Sequence, residues 1–260
     1  MNDPQVVALI YTVEHGNSVD YDDAGPLRYS DSPEFDLTVD DNVARFELRE
    51  FYADEDAARE AIEPFIQHWE FEASMRFGPG SFGLRFREAE IIDRNPSSPE
   101  PDTKGSEIVF HLSFSTTGGV ILGFPHYPPP PPPAGGSVDL DDPNVIKMKR
   151  RYGEYRLGRA KLPDMAYFCM TVLEEKYGSL TEAARKCGVS KNVLVKIRSL
   201  SSTKGGEDAR KAAGADRKFT NEEIRFLKEA VEEIVIRAAQ VAADDSQRHP
   251  LITMADLPKL

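Results

Sequence analysis

Six consecutive prolines, Pro128–Pro133, within the run FPHYPPPPPPAGG from Phe124 to Gly136, constrain what this chain can fold into more than any other feature. Proline fixes φ and offers no N–H, so neither a helix interior nor a central strand can cross such a run, which favours an extended polyproline II rod. The run divides 260 residues into an upstream and a downstream part, and a chain of that length is expected to build two modest cores. We read the run as a semi-rigid spacer; the alternative is a ligand for an aromatic-lined groove of the SH3 or WW type, for which basic flanks are missing.

Upstream, the pattern is mostly of strands. QVVALIYTV, from Gln5 to Val13, is apolar and β-branched, as in a buried strand, and Gly16-Asn17 ends it. Asp20 to Asp41 is dense in Asp, Ser and Pro and reads as an irregular acidic loop interrupted by a short strand at Phe35–Val39. Ala44–Phe51 alternates, with Phe46 and Leu48 opposed by Arg45, Glu47 and Arg49. Asp54 offers a helix N-cap, and Ala57, Ala58, Ala61, Ile62, Phe65, Ile66 and Trp69 then recur at three- and four-residue intervals. That spacing predicts an amphipathic helix over Asp54–Met75 with Pro64 as a place to kink. After the turn Gly78-Pro79-Gly80, FGLRFREAEII alternates again, and Glu107–Ser115 supplies a further strand through Ile108, Phe110, Leu112 and Phe114.

Downstream, the period becomes helical throughout. Asp142-Pro143 starts a helix carrying Val145, Ile146 and Met148, Pro163 starts another that runs through Tyr177, and Phe219–Ala243 holds a long one. Thr220 and Glu223 have the spacing of a capping box. The expected fold class is therefore α+β: a small N-terminal antiparallel or mixed sheet with one packed helix, followed by an all-α helical domain. The domain boundaries read as 1–124 for the α+β part, 125–141 for the proline-rich linker, 142–245 for the helical domain and 246–260 for a C-terminal tail.

The net charge of −12 is unevenly spread, about −16 before Val138 and about +4 from there on. A phosphate backbone would meet repulsion from the first half, so any nucleic-acid surface belongs after the linker, although two halves of opposite sign can also simply attract each other. Cys169 and Cys187 fall in helical stretches and read as buried thiols, and His15, His68, His111, His126 and His249 show no ligand spacing. No metal and no cofactor are expected. No apolar run approaches the roughly 18 to 20 residues that cross a bilayer, and Met1–Gln5 lacks the basic start of a secretory signal, so the expectation is a cytoplasmic protein without a membrane partner.

One segment carries a functional hypothesis. SLTEAARKCGVSKNVLVKIRSL, Ser179–Leu200, resembles a bacterial helix-turn-helix in residue type and spacing. Ala184 is the small residue that admits a close second helix, Gly188 the left-handed turn, Val189 the interface plug, and Leu194 and Ile197 the anchors of the next helix. The resemblance implies that Ser190 caps a recognition helix whose Lys191, Asn192, Val195, Lys196 and Arg198 face a groove, with Arg185 and Lys186 steadying the backbone from the preceding helix. Lysine and arginine would hold phosphates, and the Asn192 amide suits an adenine edge. Ten basic residues between Arg185 and Lys218, and seven more between Lys147 and Lys161, surround the segment. Any tightly turning helix pair wants alanine, glycine and serine at similar intervals, so a purely structural turn stands as the alternative.

The whole chain also resembles uncharacterised bacterial proteins that join a small α+β domain to a helical one, a layout found among host-defence and regulatory accessory proteins. The helical half is similar to HEPN-type bundles, but lacks the spaced arginine-to-histidine motif of those nucleases, since Arg248 and His249 are adjacent. No dinucleotide fingerprint, phosphate loop or nucleophile elbow occurs. His68 and Glu70 beside Trp69, and Asp93-Arg94-Asn95 at a strand end, are the acid-base candidates, with core packing and turn formation as their plainer roles. The reading is thus a non-enzymatic regulatory or accessory binding protein. Its helical domain contacts DNA, and its N-terminal domain binds a protein partner or itself. The alternative is a protein-interaction module of a larger assembly with no nucleic-acid role.

Overall fold

A computed structural model of the chain describes residues 4–16, 26–93, 129–133, 137–204, 218–246 and 249–260. These form two compact units, the described parts of Met1–Ile62 with Gly83–Pro130, and of Glu63–Phe82 with Pro131–Leu260. The expected strand at 107–115 and the whole of residues 205–217 lie outside the described residues.

The first unit is a five-stranded antiparallel sheet in the order β2-β3-β4-β1-β5, and the fold class is α+β, as the sequence predicts. Its strands are β1 (Gln5–Glu14), β2 (Leu27–Tyr29), β3 (Phe35–Asp40), β4 (Val43–Tyr52) and β5 (Gly83–Ile92). Alternation decides which side each residue takes: Val6, Ala8, Tyr11, Val13, Phe35, Leu37, Val39, Ala44 and Phe46 are all buried. Tyr11 and Phe35 meet Phe46 edge-on, at centroid distances of 5.5 and 5.1 Å. β3 and β4 are joined by Asp41-Asn42, both at positive φ (48° and 58°), the backbone of a two-residue turn that matches the twist of paired strands. The exposed charges pair across strands, Arg49 with Asp36 at 2.6 and 3.0 Å and Arg45 with Glu90.

Helix α1 (Glu55–Phe77) opens on Asp54, whose carboxylate accepts the Ala57 N–H at 2.8 Å, and it runs on through Pro64. Its first two turns bring Ala58 and Ile62, both fully buried, to the sheet unit. Its later turns belong to the helical unit, where Phe71 and Met75 join the core.

That unit contains α2 (Pro143–Arg156), α3 (Leu162–Tyr177), α4 (Leu180–Cys187), α5 (Lys191–Thr203) and α6 (Asn221–Ala243). The ends are set by local chemistry. Asp142 caps α2 by accepting from Asn144 N–H (2.9 Å) and Val145 N–H (3.0 Å), with Pro143 in the first turn. The α3 helix stops at left-handed Gly178, and Thr220 and Glu223 form the reciprocal capping box that starts α6. Met148, Met165, Cys169, Leu173, Leu194, Ile197, Phe226, Val231 and Val235 fill the interior. The carboxylate of Glu232 is enclosed there: it accepts from the Tyr152 hydroxyl, and burial pushes its carboxyl above the usual range despite nearby Lys228, Arg156 and Arg76. Among the described residues no helix is long and apolar enough to cross a membrane.

Candidate nucleic-acid interface

Helices α4 and α5 are separated by only three residues. Ser179 caps α4 through Oγ, which accepts the Glu182 N–H at 3.2 Å. At the other end Gly188 adopts φ 61°, ψ 36°, and the Val189 N–H donates to Ala184 O at 3.0 Å, closing the last turn of α4. Ala183 and Ala184 are both buried, as a close helix crossing requires, and Val189 is buried with them. The chain then starts α5, whose Val193, Leu194, Ile197 and Leu200 point into the core.

The opposite stripe of α5 is open to water. Lys191, Asn192, Val195 and Ser199 are exposed and Lys196 is half-buried, a spacing that keeps all five on one helical face. Neither Lys191 nor Lys196 has an ion-pair partner among the described residues. The charge of Lys196 is nonetheless felt by Glu223. Burial alone would raise that carboxyl, but the Lys204 side chain, the Thr220 N–H and the Lys196 charge together hold it below its usual range.

The other residues of the expected interface are placed less freely. Ser190 occupies the N-cap position, but its side chain makes no capping bond and its buried Oγ has no hydrogen-bond partner among the described residues. Arg198 pairs with Glu174 of α3, and Lys186 pairs with Asp245, just beyond α6. Arg185 holds Glu182 within its own helix through Nε (2.9 Å) and Nη2 (2.8 Å). The fold thus brings Lys191, Asn192, Val195 and Lys196 together on a face without ion pairs among the described residues and leaves Arg185, Lys186 and Arg198 around it with anionic partners. A cleft of about 710 Å³ reaches this face at Lys191 and is lined by Arg185, Lys186, Ser190, Asp245 and His249.

Asp245, His249 and Ile252 are the members of this region that sequence reasoning missed. Their approach depends on the folding back of a distant segment, which no local periodicity reveals. The acid-base candidates do not assemble into a comparable site. His68 is fully buried, with Nε2 3.0 Å from Glu72 Oε1, and Trp69 is fully buried beside it. Glu70 lines a separate groove of about 660 Å³ between the later turns of α1 and helix α2, together with Phe71, Ile146, Lys149 and Arg150. Asp93 follows β5, and Arg94 and Asn95 lie outside the described residues.

No protein-family model, no curated protein and no solved structure matches this chain. The functional reading therefore rests on the residues themselves.

Proposed function

We propose that this protein is a cytoplasmic regulatory or accessory binding protein that contacts nucleic acid through the α4–α5 pair of its helical unit. The observation that carries the proposal is the outward stripe of α5, where two lysines with no ion-pair partner among the described residues flank an exposed amide and an exposed valine. Lys191 and Lys196 suit phosphates on either side of a groove, Asn192 suits a base edge, and Val195, 47% exposed, suits a thymine methyl. The sheet unit is proposed to serve a protein partner or self-association, and Ile91 and Ile92, 52% and 40% exposed at the end of β5, support that assignment.

The test is binding of the full chain to random-sequence duplex DNA at two salt concentrations, beside the Lys191→Ala/Lys196→Ala double variant. Each phosphate contact contributes roughly 0.9 to the slope of log K against log salt, so the variant should bind more weakly and flatten the slope by about 1.8. Asn192→Ala should leave the slope alone and lower discrimination between sequences by about 1–3 kcal/mol.

A specific observation favours a second reading. Three cations of the expected interface are already neutralised within the chain, by Glu182, Asp245 and Glu174, which fits a helix pair whose charges organise the bundle. Equal, salt-insensitive behaviour of the wild type and the double variant would select that reading, a protein-interaction module without a nucleic-acid role.

A further inference from the structure

The segment that follows α6 folds back onto the α4–α5 turn and engages it through the backbone. Ile252 O accepts the Ser190 N–H at 2.7 Å, and the Ile252 N–H donates to Gly188 O at 2.8 Å, so Val189 and Ile252 form a parallel bridge. Gly188 permits the approach, because a Cβ there would lie 3.2 Å from His249 Cβ and 3.3 Å from His249 O. Asp245, at the start of the segment, takes the Lys186 ammonium. Ile252 and Leu257 are buried, while Leu251 between the contact points is 60% exposed, so the segment lies along the surface with one side in water. Its end is also shaped in advance. Asp256 Oδ2 accepts from both the N–H and the hydroxyl of Thr253, each at 2.8 Å, and Thr253 Oγ1 accepts the Ala255 N–H at 3.2 Å.

These contacts use the same groups that a helix pair of this kind offers to a phosphate: the N–H where the second helix begins, the cation of the preceding helix, and the open side of the turn. Asp245 also places negative charge in the cleft shared with Arg185 and Lys191, where it repels an incoming phosphate. We propose that Asp245 and residues 249–252 form an intramolecular cover over the phosphate-facing end of α5, which nucleic acid must displace, so that the intact chain is held in a weakly binding form. The inference rests on the nucleic-acid reading above. Displacement requires breaking two main-chain hydrogen bonds and one partly exposed ion pair and drawing Ile252 out of the helical core, while α6 itself keeps its place.

The experiment compares three proteins on random-sequence duplex DNA at two salt concentrations: the full chain, a chain ended after Ser246, and full-length Asp245→Asn. The shortened chain should bind about tenfold more tightly, with the salt slope steeper by roughly 0.9 for each phosphate contact released, and Asp245→Asn should show part of the gain. In the full chain, hydrogen exchange at the Ile252 amide should quicken when DNA is added. A folded shortened chain that binds no more tightly than the full chain overturns the cover and leaves the nucleic-acid reading standing. Should shortening prevent folding, unchanged affinity of Asp245→Asn together with unchanged Ile252 protection overturns it. If none of the three proteins binds at low salt, the nucleic-acid reading fails and the cover falls with it.

Discussion

Gly188 serves two purposes with one missing side chain, since it turns the chain left-handed after α4 and leaves room for His249 and Pro250 to pass. A Gly188→Ala variant meets both costs, the strained φ and a neighbouring backbone that has to shift by a few tenths of an ångström. Urea unfolding should report a loss of about 1–3 kcal/mol. Gly178 has a similar φ of 78° but nothing within 4 Å of the position its Cβ would take, so Gly178→Ala should cost only the conformational part, about 1 kcal/mol. Equal losses at the two sites would contradict the close approach at Gly188. The left-handed turn is legible in the sequence, because glycine at the end of a helical run has few other uses. The passage of His249 is not, because contact between segments so far apart in the chain leaves no periodic trace. The same limit applies to Lys186: its basic character is visible in the sequence, but its pairing with Asp245 is not.

At the level of elements, helix ends were the most legible features, since capping is chemistry between residues two or three apart. Asp54, Asp142 and Thr220 each accept the backbone N–H bonds their types and positions imply, whereas Ser190 holds the cap position without making the bond. Asp142 also gives a pH prediction. Burial alone would raise its carboxyl, but the Lys176 ammonium at 2.9 Å and the Val145 and Asn144 N–H groups hold it below the usual carboxylate range. Its stabilising contribution is therefore fully present above the unfolded value of about 3.9 and is lost as pH falls through the lower folded value. Asp142→Ala should cost about 1–2 kcal/mol near neutral pH, and the gap from wild type should narrow only below about pH 4. A gap that closes between pH 5 and 7 would contradict the assignment. The strand β2 was not legible, because three residues inside an Asp-rich stretch are too few to show alternation, and pairing with β3 rather than propensity decides their conformation.

For the whole molecule, the contrast between a strand-patterned first half and a helical second half was legible from period alone, and the α+β class follows from it. The division of α1 was not. A helical stripe of apolar residues says that turns are covered, but not by what, and Ala58 and Ile62 fall in one unit while Phe71 and Met75 fall in the other. The helical interior makes a further prediction. Burial pushes the Cys187 thiol up to about 11 and the Cys169 thiol up to about 12, and both residues are almost without exposure. Neither should be alkylated at neutral pH while the protein is folded, and both should react once it is denatured, as counted by mass spectrometry. Rapid labelling of either under native conditions would show that α3 or α4 opens locally. Chain order adds a consequence for synthesis. Glu63–Phe82 emerges from the ribosome long before the helices whose core it completes, and Gly188 emerges before Ile252. A nascent chain therefore presents the start of α5 bare for a time, so the state that the mature protein reaches only by displacing its own backbone occurs once in every molecule while it is being translated.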